Sequence, residues 1–312
     1  GARELGKPAL VTPETAFGIA SVAKTQIAST LMVLVENGSV DLDEPIQTYL
    51  PRFALQSNAT ASSLTARDCL LHQSGIDSFG DWIEEVPFLT GREAIMRSEL
   101  LPQTFPLRAK RSYNNFCFVI LSELIEETSG SDWRQALRTM IWGPAGMNNS
   151  FSGPQEFTRV GGVLPTADGW SDNYPIGEHA LDGEVNVAVP HAMWPSAFDN
   201  ELYFENEELE NRAIHFHQSA IDASQGIYMS VQDLRRYAQL LLSEGKSSDG
   251  QHLISPNLVE QMLSLQGIEN ELDLYEVLGR PLPQLRELGY GLGHEVYAFD
   301  GRLLVGHGGD EL

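Results

Sequence analysis

Residues 21–36 are apolar on almost every side, with Ala23, Ile27, Ala28, Leu31, Met32, Leu34 and Val35 spread round the helical wheel. A helix with one apolar stripe can lie on a surface. One that is apolar all round has to be covered on every side. The chain is therefore expected to build its other elements around a central helix beginning near Ser21. Asn37-Gly38 supplies the left-handed stop that ends it.

Lys24 does not belong in such a helix unless it has work there. It stands three residues after Ser21, and positions i and i+3 share a helix face, so a hydroxyl and an amine would lie side by side. A serine hydroxyl is a weak nucleophile and needs a neighbouring base. Apolar surroundings disfavour the charged form of a lysine, which lets the amine accept a proton. A position at the helix N-terminus also offers a backbone N–H to an oxyanion. The spacing alone is weak, because Ser243-Glu244-Gly245-Lys246 repeats it. That second pair falls at a polar, glycine-broken helix end and reads as a solvated cap.

The surrounding residues are more specific. Phe17-Gly18-Ile19-Ala20-Ser21-Val22-Ala23-Lys24-Thr25 is followed by Leu42-Asp43-Glu44-Pro45-Ile46 and Tyr49-Leu50-Pro51, then by Leu64-Thr65-Ala66-Arg67-Asp68 and Leu71-His72-Gln73-Ser74-Gly75. Tyr113-Asn114-Asn115 precedes an apolar helix ending Glu126-Glu127-Thr128-Ser129-Gly130. Gly143-Pro144-Ala145-Gly146-Met147, Gly226-Ile227-Tyr228-Met229-Ser230 and His307-Gly308-Gly309 complete the series. In order and spacing these segments resemble the class C β-lactamases, the D-alanyl-D-alanine carboxypeptidases and their esterase relatives, from residue 17 to residue 309.

The resemblance implies a serine hydrolase that needs no cofactor and acts on a small ester, an amide or a D-amino-acid peptide. An acyltransferase with the same machinery, or a non-catalytic binding protein on a degraded hydrolase fold, is the alternative. Ser21 would be acylated and Lys24 would hold or take its proton. Tyr113 would act as general acid–base. A phenol titrates near ~10, so a neighbouring cation must assist it, and Arg108, Lys110 and Arg111 are close in sequence. Asn115 would bond Lys24 and the substrate, and the N–H groups of Ser21 and Asp310 would form the oxyanion hole. His307, Gly308 and Gly309 would line the cleft. The best-known relatives carry a lysine at the place of His307. A histidine near ~6.5 is mostly neutral at pH 7, which favours neutral substrates over penicillins.

The implied architecture is α/β (α+β): an antiparallel sheet flanked by helices plus a mostly helical region. Residues 1–30 and 225–312 would form the sheet-containing part, and 31–224 the helical part, with long loops over 151–223. Capping signals mark helices after Thr65 (with Asp68), after Ser230 (with Asp233) and at Ser255-Pro256. Residues 290–299 and 302–307 read as two strands joined by Asp300-Gly301, a strong hairpin signal. Only 20 residues precede Ser21 and three follow Gly309. The chain is thus expected to lack the family's outer strands, leaving a bare edge beside His307 and a weakly active or inactive polypeptide.

Acidic residues number 43 against 20 basic, a formal charge of −23. Nucleic-acid binding needs a basic footprint, which this balance argues against. Solubility is the plain reading of the acidity; a halophilic or acidic setting is the sharper one. Apolar runs such as 31–35 and 116–121 are too short to span a bilayer. No secretory signal is visible in the opening Gly-Ala-Arg-Glu, and the compartment stays open. Cys69 and Cys117 both fall in apolar helical segments and read as small buried hydrophobes, not as a disulfide framework. His215-Phe216-His217 has no third ligand at metal spacing, so no metal is expected. Asn58-Ala59-Thr60 and Asn148-Asn149-Ser150 fit the glycosylation triplet, which arises often by chance.

Overall fold

The computed structural model describes residues 1, 8, 10–76, 89–152, 221–268, 274–277 and 280–309, with the backbone alone for 274–277 and 280–284. Most of the expected 151–223 loop region, His215 and His217, and Asp310 lie outside the described residues.

The helix Ala23–Glu36 is the centre of the molecule. Ile27, Ala28, Leu31 and Met32 are fully covered, each large side chain gaining about 1.5–3 kcal/mol by burial. Its polar residues up to Thr30 are covered too, and each finds a partner, as burial requires. The Tyr237 hydroxyl donates to the Thr25 carbonyl at 2.8 Å and lies 2.7 Å from Ser29 Oγ. Trp142 Nε1 donates to Gln26 Oε1 at 3.2 Å. The helix Phe116–Ser129 packs along it, as do the short helices Trp133–Leu137 and Asp222–Gln225. Gly130, at φ 70°, ends the Phe116–Ser129 helix in the left-handed conformation. One element begins later than the sequence implied. Residues 20–22 form a 3₁₀ turn and the α-helix starts at Ala23, because Ala20 sits at φ 44°, outside the helical region.

Two antiparallel sheets flank the helices. The first has the order β1–β3–β2, where β1 is Ala16–Gly18, β2 is Ser150–Ser152 and β3 is Ile227–Ser230. Its β2 comes from within the region expected to be helical. The second has five strands. β4 (Gly267–Ile268), β6 (Arg280–Gly291), β7 (His294–Phe299) and β8 (Arg302–Gly306) follow in order, and β5 (Leu274–Val277) also pairs with β6. The expected single strand over 290–299 is therefore two. Leu292-Gly293 turns the chain between β6 and β7, with Gly293 at φ 72°, and a Cβ there would lie 2.6 Å from the Ala28 Cβ. That turn presses the large sheet against the central helix. The Asp300-Gly301 hairpin forms as the sequence implied, joining β7 to β8. Among the described residues β8 pairs only with β7, and Leu303, Leu304 and Val305 on it are exposed.

Candidate active site

Four segments meet at the start of the central helix. The first is the 3₁₀ turn itself. It places Ser21 before the helix and Lys24 in its first turn, with Nζ 3.0 Å from Ser21 Oγ. Lys24 is completely buried. Its amine also donates to the Ser224 carbonyl at 3.1 Å. Nothing in the residues around Ser224 marks it as a partner in advance, since only its backbone oxygen is used.

The second segment is the loop entering the helix Phe116–Ser129. Lys24 Nζ lies 4.8 Å from the Tyr113 ring centroid and 5.5 Å from that of Phe118. Asn114 fixes this loop. Its side-chain oxygen accepts from the Cys117 N–H at 3.1 Å, its Nδ2 donates to the Ile76 carbonyl, and its backbone N–H donates to His72 Nδ1 at 3.1 Å. Asn115, two residues from Tyr113, occupies the N-cap position. Of the three cations near Tyr113 in sequence, only one turns toward the cleft. Arg108 bonds Asp68 at 2.7 and 2.8 Å, and Lys110 covers the Phe105 ring at 3.7 Å. Arg111 lies 5.5 Å from the Tyr290 ring and bonds Glu287 at 2.7 Å.

The third segment brings His72. Its ring packs on Tyr113 at 4.4 Å and edge-on to Tyr290 at 4.9 Å. Burial first, then the neighbouring basic groups Lys24, His307 and Arg111, push its basicity far below the usual histidine range, so the ring is neutral. With Nδ1 accepting from Asn114, the proton sits on Nε2.

The fourth is the end of β8. The Tyr113 and His307 ring centroids are 6.2 Å apart. His307 Nε2 lies 2.5 Å from the Tyr290 hydroxyl, and Nδ1 lies 2.5 Å from the Gly308 carbonyl. The Gly308 N–H donates to Glu295 at 2.9 Å, holding the strand end down. Gly309 runs directly against Ile19 and Ala20, so close that a Cβ there would be 2.3 Å from the Ile19 carbonyl oxygen. No local sequence pattern marks Tyr290 or His72 as a site residue. Both sit in quoted or neighbouring motifs, yet their contacts arise only when β6 and the 71–75 segment fold over the helix.

The decoy pair behaves differently. Ser243 follows the helix Val231–Leu242 as its C-cap, and both Ser243 and Lys246 are exposed.

This arrangement, a buried amine beside a serine at a helix start with a tyrosine ring and a glycine-rich strand end across the cleft, is accompanied by a match to the β-lactamase family model over residues 1–311. The chain belongs to the β-lactamase family. It is 26% identical over 315 residues to penicillin-binding protein 4 of Amycolatopsis lactamdurans, covering 99% of this chain and 70% of that protein. It is 26% identical over 149 residues to the teichoic acid D-alanine hydrolase of Staphylococcus aureus, covering 47% of this chain and 36% of that one. Its fold matches the octameric penicillin-binding protein homologue from Pyrococcus abyssi with a TM-score of 0.68 at 24% identity, covering 99% of this chain and 60% of that structure. The α/β architecture expected from the sequence is thus that of the family. No helix among the described residues is long and apolar enough to cross a membrane.

Proposed function

We propose that this β-lactamase-family chain is a serine hydrolase that forms an acyl-enzyme on Ser21. The observation that carries the reading is the 3.0 Å contact between a fully buried lysine amine and the Ser21 hydroxyl. In the catalytic direction that contact runs the other way: the Ser21 O–H donates to the neutral amine of Lys24. As Oγ attacks the substrate carbonyl, the proton passes to Lys24 and on to Tyr113, which returns it to the leaving alcohol or amine. Water then attacks the ester on Ser21 with the same groups acting in reverse. Asn115 orients Lys24 and the substrate. The backbone N–H groups of Ser21 and Asp310 receive the developing oxyanion.

The substrate class is a small ester, an amide or a D-amino-acid compound. The relative that hydrolyses D-alanine from teichoic acid supports it, and so does the third motif. Burial, opposed by Glu295, lowers the basicity of His307 below the usual histidine range, so the ring is neutral at pH 7 and offers no fixed charge to a carboxylate. No cofactor is invoked at any step. The test is turnover of a chromogenic acetate ester by the wild type and by Ser21→Ala. Loss of at least a thousandfold in the variant supports the reading; turnover within tenfold of the wild type overturns it.

A further inference from the structure

We infer that Tyr290 is a positioning residue that sets the specificity of the third motif: it donates its phenolic proton to His307 Nε2 and holds His307 as the neutral Nδ1–H tautomer. The His307 side chain then presents the substrate with neither an N–H nor a charge.

The argument starts from the two partners of one imidazole. The Gly308 carbonyl can only accept, so Nδ1, 2.5 Å away, must carry a hydrogen. Nε2 faces the Tyr290 hydroxyl at 2.5 Å. A phenol can donate or accept, and the surroundings decide which. Tyr290 is completely buried, and burial raises its phenol well above the usual range, so the hydroxyl keeps its proton. If Nε2 were protonated too, the ring would be an imidazolium in a buried setting that disfavours charge, beside the Arg111 guanidinium, which opposes it. The neutral ring with Nε2 as acceptor satisfies every atom.

The groups facing His307 come from each element packed around it. Tyr290 and Glu287 are on β6, with Glu287 bonded to Arg111. Glu295 on β7 favours the charged ring, but its carboxylate already accepts from the Tyr297 hydroxyl and the Gly308 N–H. Arg111 opposes the charge from the loop that also brings Tyr113, and Lys24 on the central helix opposes it whenever its amine is protonated. Tyr290 itself is held by the His72 ring edge and the Arg111 guanidinium on its faces, so its hydroxyl direction is set by packing. A hydrogen bond donated to the neutral ring disfavours its protonation. Removing that donor frees Nε2 to take up a proton.

The consequence for substrate rests on Ser21 being the nucleophile; the tautomer does not. Two measurements keep the two apart. Nitrogen chemical shifts of the imidazoles, with the His307 signal assigned by its loss in His307→Gln, are expected to show Nδ1 protonated and Nε2 bare at pH 7. An imidazolium, or a proton on Nε2 alone, in the wild type overturns the proposal whatever the kinetics show. In Tyr290→Phe, which keeps the ring and its packing, the His307 titration midpoint is expected to rise by about one unit or more. The ratio of kcat/KM for a carboxylate-bearing ester to that for its neutral analogue is then expected to rise about tenfold from pH 8 to pH 6, through KM of the anionic ester. The wild-type ratio stays within twofold over the same range. A variant ratio as flat as the wild type's, with the neutral ester still turned over, overturns the specificity role. Absence of ester turnover in the wild type counts against the Ser21 reading, and the nitrogen shifts still decide the tautomer.

Discussion

Gly309 and Ile19 touch backbone to backbone across the candidate cleft. A Cβ on Gly309 would sit 2.3 Å from the Ile19 carbonyl oxygen and 3.3 Å from the Ala20 Cβ. Backbone cannot yield as a flexible side chain can. Gly309→Ala must therefore push the end of β8 away from the turn that carries Ser21. A displacement of about 1 Å at a reacting centre costs on the order of 10²-fold. Ester kcat/KM is expected to fall by about that factor with little change in Tm; a loss below threefold would show that the strand end does not position the reacting groups.

Tyr113 stands with its ring 4.8 Å from the Lys24 amine and against the neutral His72 ring. Removing only its hydroxyl keeps both contacts. Tyr113→Phe is expected to lower kcat by roughly 10²–10⁴-fold, the usual worth of a positioned acid–base group. A loss under tenfold would leave the proton transfers to Lys24 alone.

The buried histidines make the fold acid-sensitive. Burial depresses His294 to about 4, and its Nδ1 lies 2.9 Å from the Leu292 carbonyl at the β6–β7 turn. His72 is lowered in the same sense. In the unfolded chain both bind a proton near ~6.5. The unfolded state therefore gains protons first as pH falls, and stability present above pH ~6.5 is lost between that value and about 4. For His294 the loss is about 3 kcal/mol in full. His294→Asn keeps a donor for Leu292 without the titration. Urea unfolding at pH 7.5 and 4.5 should show a fall smaller by about 1–3 kcal/mol in the variant; equal falls would contradict the assignment.

Glu123 has the opposite sign. Burial, with Glu126 beside it, raises its carboxyl to about 7. It lines a cavity with Arg92, Glu126, Asp132 and Arg134. Its neutral form suits the fold, so its contribution is complete below pH ~4.5 and is lost as pH rises through about 7. Glu123→Gln should match the wild type at pH 4.5. At pH 8.5 it should be more stable by on the order of 1–2 kcal/mol, allowing for solvent screening. A variant no more stable at pH 8.5 would place the Glu123 carboxyl in water.

Elements governed by contacts near in sequence were legible. Thr65 and Asp68 form the reciprocal capping box their spacing implies, and Ser230 accepts from the Asp233 N–H. The Ser21–Lys24 pair was legible for the same reason, since three residues separate them. The β6 strand was not. Pro281 and Pro283 argue against a strand, yet the backbone of 280–291 pairs with β4, β5 and β7. The Tyr290–His307 bond was hidden because it crosses between β6 and the end of β8, so no local pattern records it. The two cysteines are buried as expected, but their mutual contact came from packing. Cys117 Sγ donates to Ser74 Oγ at 3.4 Å, and the neighbouring Cys117 thiol together with burial pushes the Cys69 thiol up.

The central claim is a covalent one, and mass spectrometry of the intact protein tests it most directly. After exposure to a fluorophosphonate or a slowly hydrolysed ester, the chain should gain one adduct, mapped to the peptide bearing Ser21, and Ser21→Ala should gain none. An adduct mapped to Ser243 or to another residue, or full labelling of Ser21→Ala, would contradict the account.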